Sequence, residues 1–195
     1  MDGLRTDTVQ DVAGPLPQML AATEGGTTTR YLHGLGLIGE QRGSEPTGWQ
    51  YHLPDALGSV RQTSDAAGAV TLRRSYDPFG ALSAVEGAGS TAYGFAGEEQ
   101  DATTGNVYLR ARTYNPAVGR FLQQDSLLGM PFQPNSLHRY TYAFNNPVNV
   151  VDPGGRMPAL GRSVNPASTA GDGVVTPFSA PARSANSGGW ATYSS

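Results

Sequence analysis

The sequence predicts an all-β protein, and three observations lead there. First, 26 Gly and 14 Pro fill about a fifth of the 195 positions, against roughly 12% for the two combined in an average chain. Helix interiors tolerate neither residue well. Second, charged residues make up only 15%, below the roughly 25% of ordinary domains, while Ser, Thr and Tyr recur throughout. Third, short alternating segments sit between turn clusters, which is the period of half-buried strands.

Taken in order, residues 1–28 are weakly patterned and break at Gly14-Pro15-Leu16-Pro17, so a weakly structured N-terminal segment is expected. Strands are predicted at 29–32, 48–53, 59–63, 69–76, 91–96 and 106–114. The turn Asp65-Ala66-Ala67-Gly68 joins two of these as a hairpin, with Gly68 supplying a positive φ. Segment 106–114 has the clearest alternation. Val107, Leu109, Ala111 and Thr113 fall on one face; Tyr108, Arg110, Arg112 and Tyr114 fall on the other, read as a wet face where guanidinium groups stack on rings. A short helix is expected near 136–144, capped by Ser136 and stopped by Asn145-Asn146-Pro147. Residues 157–195 are Ala, Gly, Ser, Pro and Asn with few charges, too little apolar surface to offset ordering entropy, and are expected to be a disordered tail.

Composition also excludes function classes. All 13 basic residues are Arg, and with 16 acids the net charge is −3, which argues against a phosphate-binding nucleic-acid surface. Without Cys there is no disulfide, thiolate zinc site or cysteine nucleophile. No apolar run is long enough for a membrane span, and the N-terminus shows no signal peptide. Gly34-Leu35-Gly36-Leu37-Ile38-Gly39 fits the dinucleotide fingerprint, but residues 40–48 cannot sustain the helix that would hold a pyrophosphate, so it reads as strand and turn. His33, His52 and His138 are scattered without ligand spacing. No cofactor or metal is expected.

Asp125 and Asp152 are the candidate chemical pair. Each precedes a turn-prone stretch, and they lie 27 residues apart, so the fold can bring them together. Two neighbouring carboxylates do not both ionise cheaply; one can keep a proton as general acid while the other activates water. Arg120 could support them by lowering a carboxylate pKa. The alternative is that both aspartates only hydrogen-bond turn backbones.

Three segments share an aromatic, a turn and a glycine: Tyr31-Leu32-His33-Gly34, Tyr76-Asp77-Pro78-Phe79-Gly80 and Tyr114-Asn115-Pro116-Ala117-Val118-Gly119. Such a loose repeat describes a sheet extended one hairpin at a time. Tyr76-Asp77 resembles the tyrosine–aspartate (YD) repeat of bacterial Rhs proteins. Further blocks resemble the Rhs repeat-associated core: Asp55-Ala56-Leu57-Gly58-Ser59-Val60-Arg61, Phe95-Ala96-Gly97-Glu98-Glu99, Arg110-Ala111-Arg112-Thr113-Tyr114-Asn115-Pro116, Gly119-Arg120-Phe121-Leu122, Asn145-Asn146-Pro147-Val148-Asn149 and Val151-Asp152-Pro153-Gly154-Gly155.

The resemblance implies the terminal part of a spiral β-sheet shell: YD-like hairpins over 29–82, a core plug over 83–156, and the variable tail over 157–195. It implies a secreted or cell-surface bacterial polymorphic toxin, with an upstream YD-repeat shell, in the same or another chain, and a C-terminal cargo segment as partners. It also implies autoproteolysis by the Asp125–Asp152 pair at Arg156–Met157, although Ser126 and Arg156 stand where the family has Pro and Leu. An inward-facing Arg156 would instead make the pair a latch. A third reading is a surface module binding a cell-surface glycan. Where successive turns stack, Tyr76, Phe79, Tyr114 and Phe121 are expected to be buried.

Overall fold

The computed structural model describes residues 6–160, apart from positions 15, 35, 46, 47, 130, 131, 133 and 157. Eight antiparallel strands pair in sequence order into one open sheet. They are β1 (Thr6–Asp11), β2 (Gln18–Glu24), β3 (Thr27–His33), β4 (Leu37–Arg42), β5 (Trp49–Pro54), β6 (Val60–Asp65), β7 (Val70–Tyr76) and β8 (Leu82–Gly87). Sequence order follows from turns that carry their own hydrogen bonds. Asp65 Oδ1 accepts the Ala67 and Ala69 N–H groups at 2.9 Å, and Gly68 adopts φ 84°, as its hairpin required. Asp77 accepts Ala81 N–H in the same way at 2.9 Å.

The sheet begins earlier than the sequence predicts. Residues 6–24, expected to be weakly structured, form β1 and β2, and the Gly-Pro break is the connection between them. Every described residue of β1 is exposed on both faces, so the strand has no alternation to read. β4 leaves the glycine-rich turn with no helix.

Past β8, residues 89–94 cross back over the sheet as a strap. Gly89 N–H donates to the Thr71 carbonyl at 2.9 Å, Gln50 Nε2 to Ser90 at 3.0 Å, and Val60 N–H to Gly94 at 3.0 Å. Arg74 donates to the carbonyls of Tyr93 and Thr91 at 2.8 and 3.1 Å. The strand expected at 91–96 is therefore this crossing plus a 3-10 turn, Phe95–Gly97, in which Ala96 has a φ of 55°.

The strap leads into a small plug. β9 (Val107–Leu109), β10 (Arg112–Asn115) and β11 (Arg120–Phe121) form a three-stranded sheet; β12 (Val150–Val151) pairs with β13 (Ala159–Leu160). The single strand expected at 106–114 folds back on itself at Arg110, whose φ is 55°, so that Leu109 faces Arg112. That turn resets the alternation. Tyr108 stays exposed, but Arg112 and Tyr114 go inward. The expected 136–144 helix is reduced to two 3-10 turns, Pro134–Ser136 and Ala143–Asn145, since Ala143, Phe144 and Asn145 all have positive φ. Ala159–Leu160 carry paired backbone beyond the expected end of the plug at 156, and the rest of the tail, 161–195, lies outside the described residues.

The plug core consists of Phe95, Val107, Leu109, Tyr114, Phe121, Tyr142, Ala143 and Val150. The Tyr114 and Tyr142 rings stack at 4.1 Å, with Phe121 edge-on to both at 5.8 Å. Tyr114 also donates its hydroxyl to the Phe79 carbonyl at 2.6 Å, tying the plug to the last turn of the sheet. Of the four aromatics expected to be buried, Tyr114 and Phe121 are; Tyr76 and Phe79 are half-buried, since they line the seam between sheet and plug. Tyr114→Ala should therefore cost about 3–5 kcal/mol in urea unfolding, and Tyr114→Phe about 1 kcal/mol for the lost hydroxyl bond. Equal losses for the two variants would mean that the ring is not what holds the plug.

Candidate functional site

The turn at Arg110 decides where the site forms. By reversing the chain after Leu109, it sends Arg112 into the plug beside the ring of Phe121, with its guanidinium carbon 3.6 Å from the ring centroid. A positive φ at a non-glycine residue is costly, about 1–3 kcal/mol. Here it is offset by the side chain, which donates to Glu98 Oε1 at 2.8 Å and to the Pro153 carbonyl.

Arg112 is 6% exposed and every arm is engaged. One terminal nitrogen lies 2.9 Å from Asp125 Oδ2 and 3.4 Å from Asp152 Oδ2. The other donates to the Arg139 carbonyl at 3.0 Å, and Nε donates to the Gly155 carbonyl. The sum of the two carboxylate distances is the furthest apart those oxygens can lie, so the fold does bring the predicted aspartates together. Asp125 is 9% exposed and Asp152 1%.

Each aspartate also holds its own turn. Asp125 Oδ1 accepts Leu127 N–H and Asp152 Oδ1 accepts Arg156 N–H, both at 2.9 Å. Arg139 completes the Asp125 side: its Nε donates to the Asp125 carbonyl at 2.8 Å, and its own carbonyl accepts Asp125 N–H at 3.0 Å. Gly155 must be glycine. Its φ is 65°, and a Cβ there would run into the Leu109 carbonyl oxygen.

Two sequence assignments are corrected. Arg120 does not support the pair; it reaches Thr141 Oγ1 at 3.2 Å and His138 Nδ1 at 3.4 Å, because β11 runs along the other edge of β10. Arg156 is exposed and contributes only its backbone N–H, so the inward cation is Arg112. Met157, across the predicted scissile bond, lies outside the described residues.

Sequence reasoning missed Arg112, Arg110, Glu98 and Arg139. The first two were placed on a wet face, since nothing local marks the reversal at Arg110. The available signal was the pair Arg110 and Arg112 in a chain with few charges.

Electrostatically, the site holds two carboxylates on one shared cation. Burial draws the Arg112 pKa down, while Asp125 and then Asp152 push it back up; a guanidinium stays charged in a protein. Burial lifts Glu98 to about 7, although Arg110 pulls the other way. Arg112 stands between the two carboxylates, 2.9 Å from Asp125 Oδ2 and 3.4 Å from Asp152 Oδ2. The arrangement can hold three chain segments together. Among the described residues no cluster of three or more His, Cys, Asp or Glu could hold a metal ion, and no helix is long and apolar enough to cross a membrane.

Comparison with known proteins gives a family. The teneurin YD-shell profile matches residues 44–148, from the sheet into the plug. The tRNA(Glu)-specific nuclease WapA of Bacillus subtilis subsp. natto is 37% identical over 108 residues, 54% of this chain and 5% of that protein. Salivary gland surface protein 1 of Aedes aegypti is 33% identical over 135 residues, 67% of this chain and 4% of that protein. The chain thus spans about a twentieth of these relatives. Among solved structures, the crystal structure of TcdB2-TccC3-TEV aligns over 80% of this chain and 8% of that one, with a TM-score of 0.57 and 21% identity, a likeness of fold. With more than half of its length matched by that profile, the chain belongs to the teneurin YD-shell family.

Proposed function

We propose that this YD-shell module closes the end of a larger toxin-type shell, and that Arg112 is the fastener of its plug. The observation that carries this reading is one buried guanidinium gripping Asp125, Asp152, Gly155 and Arg139 at once. β1 stands at the end of the strand order among the described residues, which is where a preceding YD strand, the upstream partner, would add. In this reading the enclosed or displayed C-terminal segment is residues 161–195, which follow β13 in sequence. A secreted or surface location fits relatives named a surface protein and a toxin, Tse5 of Pseudomonas aeruginosa.

A second reading is favoured by one contact: Asp152 Oδ1 on Arg156 N–H, next to the predicted cleavage point. In that reading Asp152 takes a proton from water, the hydroxide attacks the Arg156 carbonyl carbon, and a protonated Asp125 gives its proton to the departing Met157 nitrogen. The shared cation opposes it, because the Asp125 oxygen that would carry the proton already lies 2.9 Å from the Arg112 guanidinium.

Intact-mass analysis separates the two. The fastener reading expects the parent at full length, with the mass unchanged by Asp125→Asn; loss of residues 157–195 in the parent and their retention in Asp125→Asn would establish self-cleavage instead. In urea unfolding, Arg112→Met should cost about 3–5 kcal/mol by leaving two buried carboxylates uncompensated. Asp152→Asn should cost less, because Asp125 still pairs with the arginine. The reverse order would count against Arg112 as the fastener.

A further inference from the structure

The strap 89–94 lies over a second buried polar group, unconnected with the aspartates. Glu40 of β4 and His52 of β5 lie on the face that the strap crosses. Glu40 Oε2 accepts the Thr91 hydroxyl at 3.0 Å, and Gln50 Nε2 stands 3.5 Å from its Oε1. The His52 side chain is fully buried, its Nε2 is 3.8 Å from Glu40 Oε2, and neither ring nitrogen has a hydrogen-bond partner. The Tyr93 ring covers both, 6.4 Å from the imidazole and 5.3 Å from the ring of Tyr31.

An imidazole buried without any acceptor has no structural use that a Leu would not serve better. Its neighbour is a buried carboxylate held by the Thr91 hydroxyl, with no Arg within 4 Å among the described residues. Each residue alone would make attachment of the strap depend on pH, and in opposite senses. We propose that Glu40 and His52 are a proton-compensating pair that fixes the strap, and with it the plug, to the sheet equally firmly at neutral and mildly acidic pH. This holds whether the plug closes a shell, cleaves itself or does neither.

The charged and titratable groups around the pair are few. Arg42 lies on the strand of Glu40, Arg74 comes from β7, Tyr31 from β3, Tyr93 from the strap and Glu99 from the plug. Burial raises Glu40 to about 7, against weaker pulls from the Thr91 hydrogen bond, Arg42 and Arg74. Burial lowers His52 to about 4, with Arg74 adding to it. Between the ordinary carboxylate value and about 7, folded Glu40 keeps a proton that the unfolded chain releases, so stability falls as pH rises. Between about 4 and the ordinary imidazole value, folded His52 lacks a proton that the unfolded chain holds, so stability rises with pH. The windows overlap and the slopes cancel.

The test is hydrogen-exchange protection of the Gly89 and Gly94 amides, corrected for intrinsic exchange, in the full chain and two variants between pH 4.5 and 7. The parent should change by less than about threefold. With tenfold expected per pKa unit, His52→Asn should gain about a hundredfold in protection as pH falls, and Glu40→Gln should lose about a hundredfold. Slopes of the same sign in both variants, or flat profiles in both, would overturn the proposal. Should either variant fail to fold, NMR titration of His52 in the parent decides: no titration above about pH 5 supports the pair, and a midpoint near the ordinary value of about 6.5 removes it.

Discussion

Burying a charge requires that its partners come to it, and in this plug the charge is the guanidinium of Arg112. Its contacts reach the segments around Asp125, Arg139 and Asp152, none of which belongs to a strand of the plug's three-stranded sheet. Without the cation those segments would have to bring two carboxylates into apolar surroundings unaided, which is far costlier than leaving them in water. The aromatic stack of Tyr114, Tyr142 and Phe121 supplies the bulk of the apolar burial, but aromatic packing has no fixed register. Arg112 supplies the register: its fixed fork of donors admits few arrangements of the surrounding carbonyls and carboxylates.

The two halves of the molecule use different means to stay together. The eight-stranded sheet is held by backbone ladders and turn aspartates, with most of its large apolar residues still half exposed. The plug has little ladder and relies on side chains, and it accepts strain to do so. All five non-glycine residues with positive φ among the described residues, Ala96, Arg110, Ala143, Phe144 and Asn145, belong to it. The strap joins these regimes through side-chain donors on carbonyls, so the plug is seated by polar contacts from β5 and β7.

Much of this was legible in the residues. Gly and Pro frequency gave the all-β class, Asp65 through Gly68 gave a hairpin turn, and the two aspartates were paired by spacing and resemblance. What escaped did so for physical reasons. β1 has no buried face and therefore no period. Arg110 adopts its left-handed conformation because of Glu98 and Pro153, partners distant in sequence that no local propensity encodes. Without that reversal, simple alternation puts Arg112 and Tyr114 on the wrong side, and the cation of the site with them. Arg120, the nearer arginine in sequence to Asp125, lies along another edge.

Strand order in the sheet has a kinetic consequence. Every strand pairs with its immediate predecessor, so the sheet has low contact order and can grow hairpin by hairpin as the chain leaves the ribosome. The remaining closures are distant: Thr91 returns to Glu40 across 51 positions, and Asp152 to Arg112 across 40. Closing loops of that size costs little more entropy than closing shorter ones, but it cannot happen before both ends exist. The turn at Asp152 is synthesised after Arg112 and Asp125, so of these three it is the last to find its partner. Its docking therefore acts as a checkpoint on assembly of the plug, completed only once Arg112 has been turned inward.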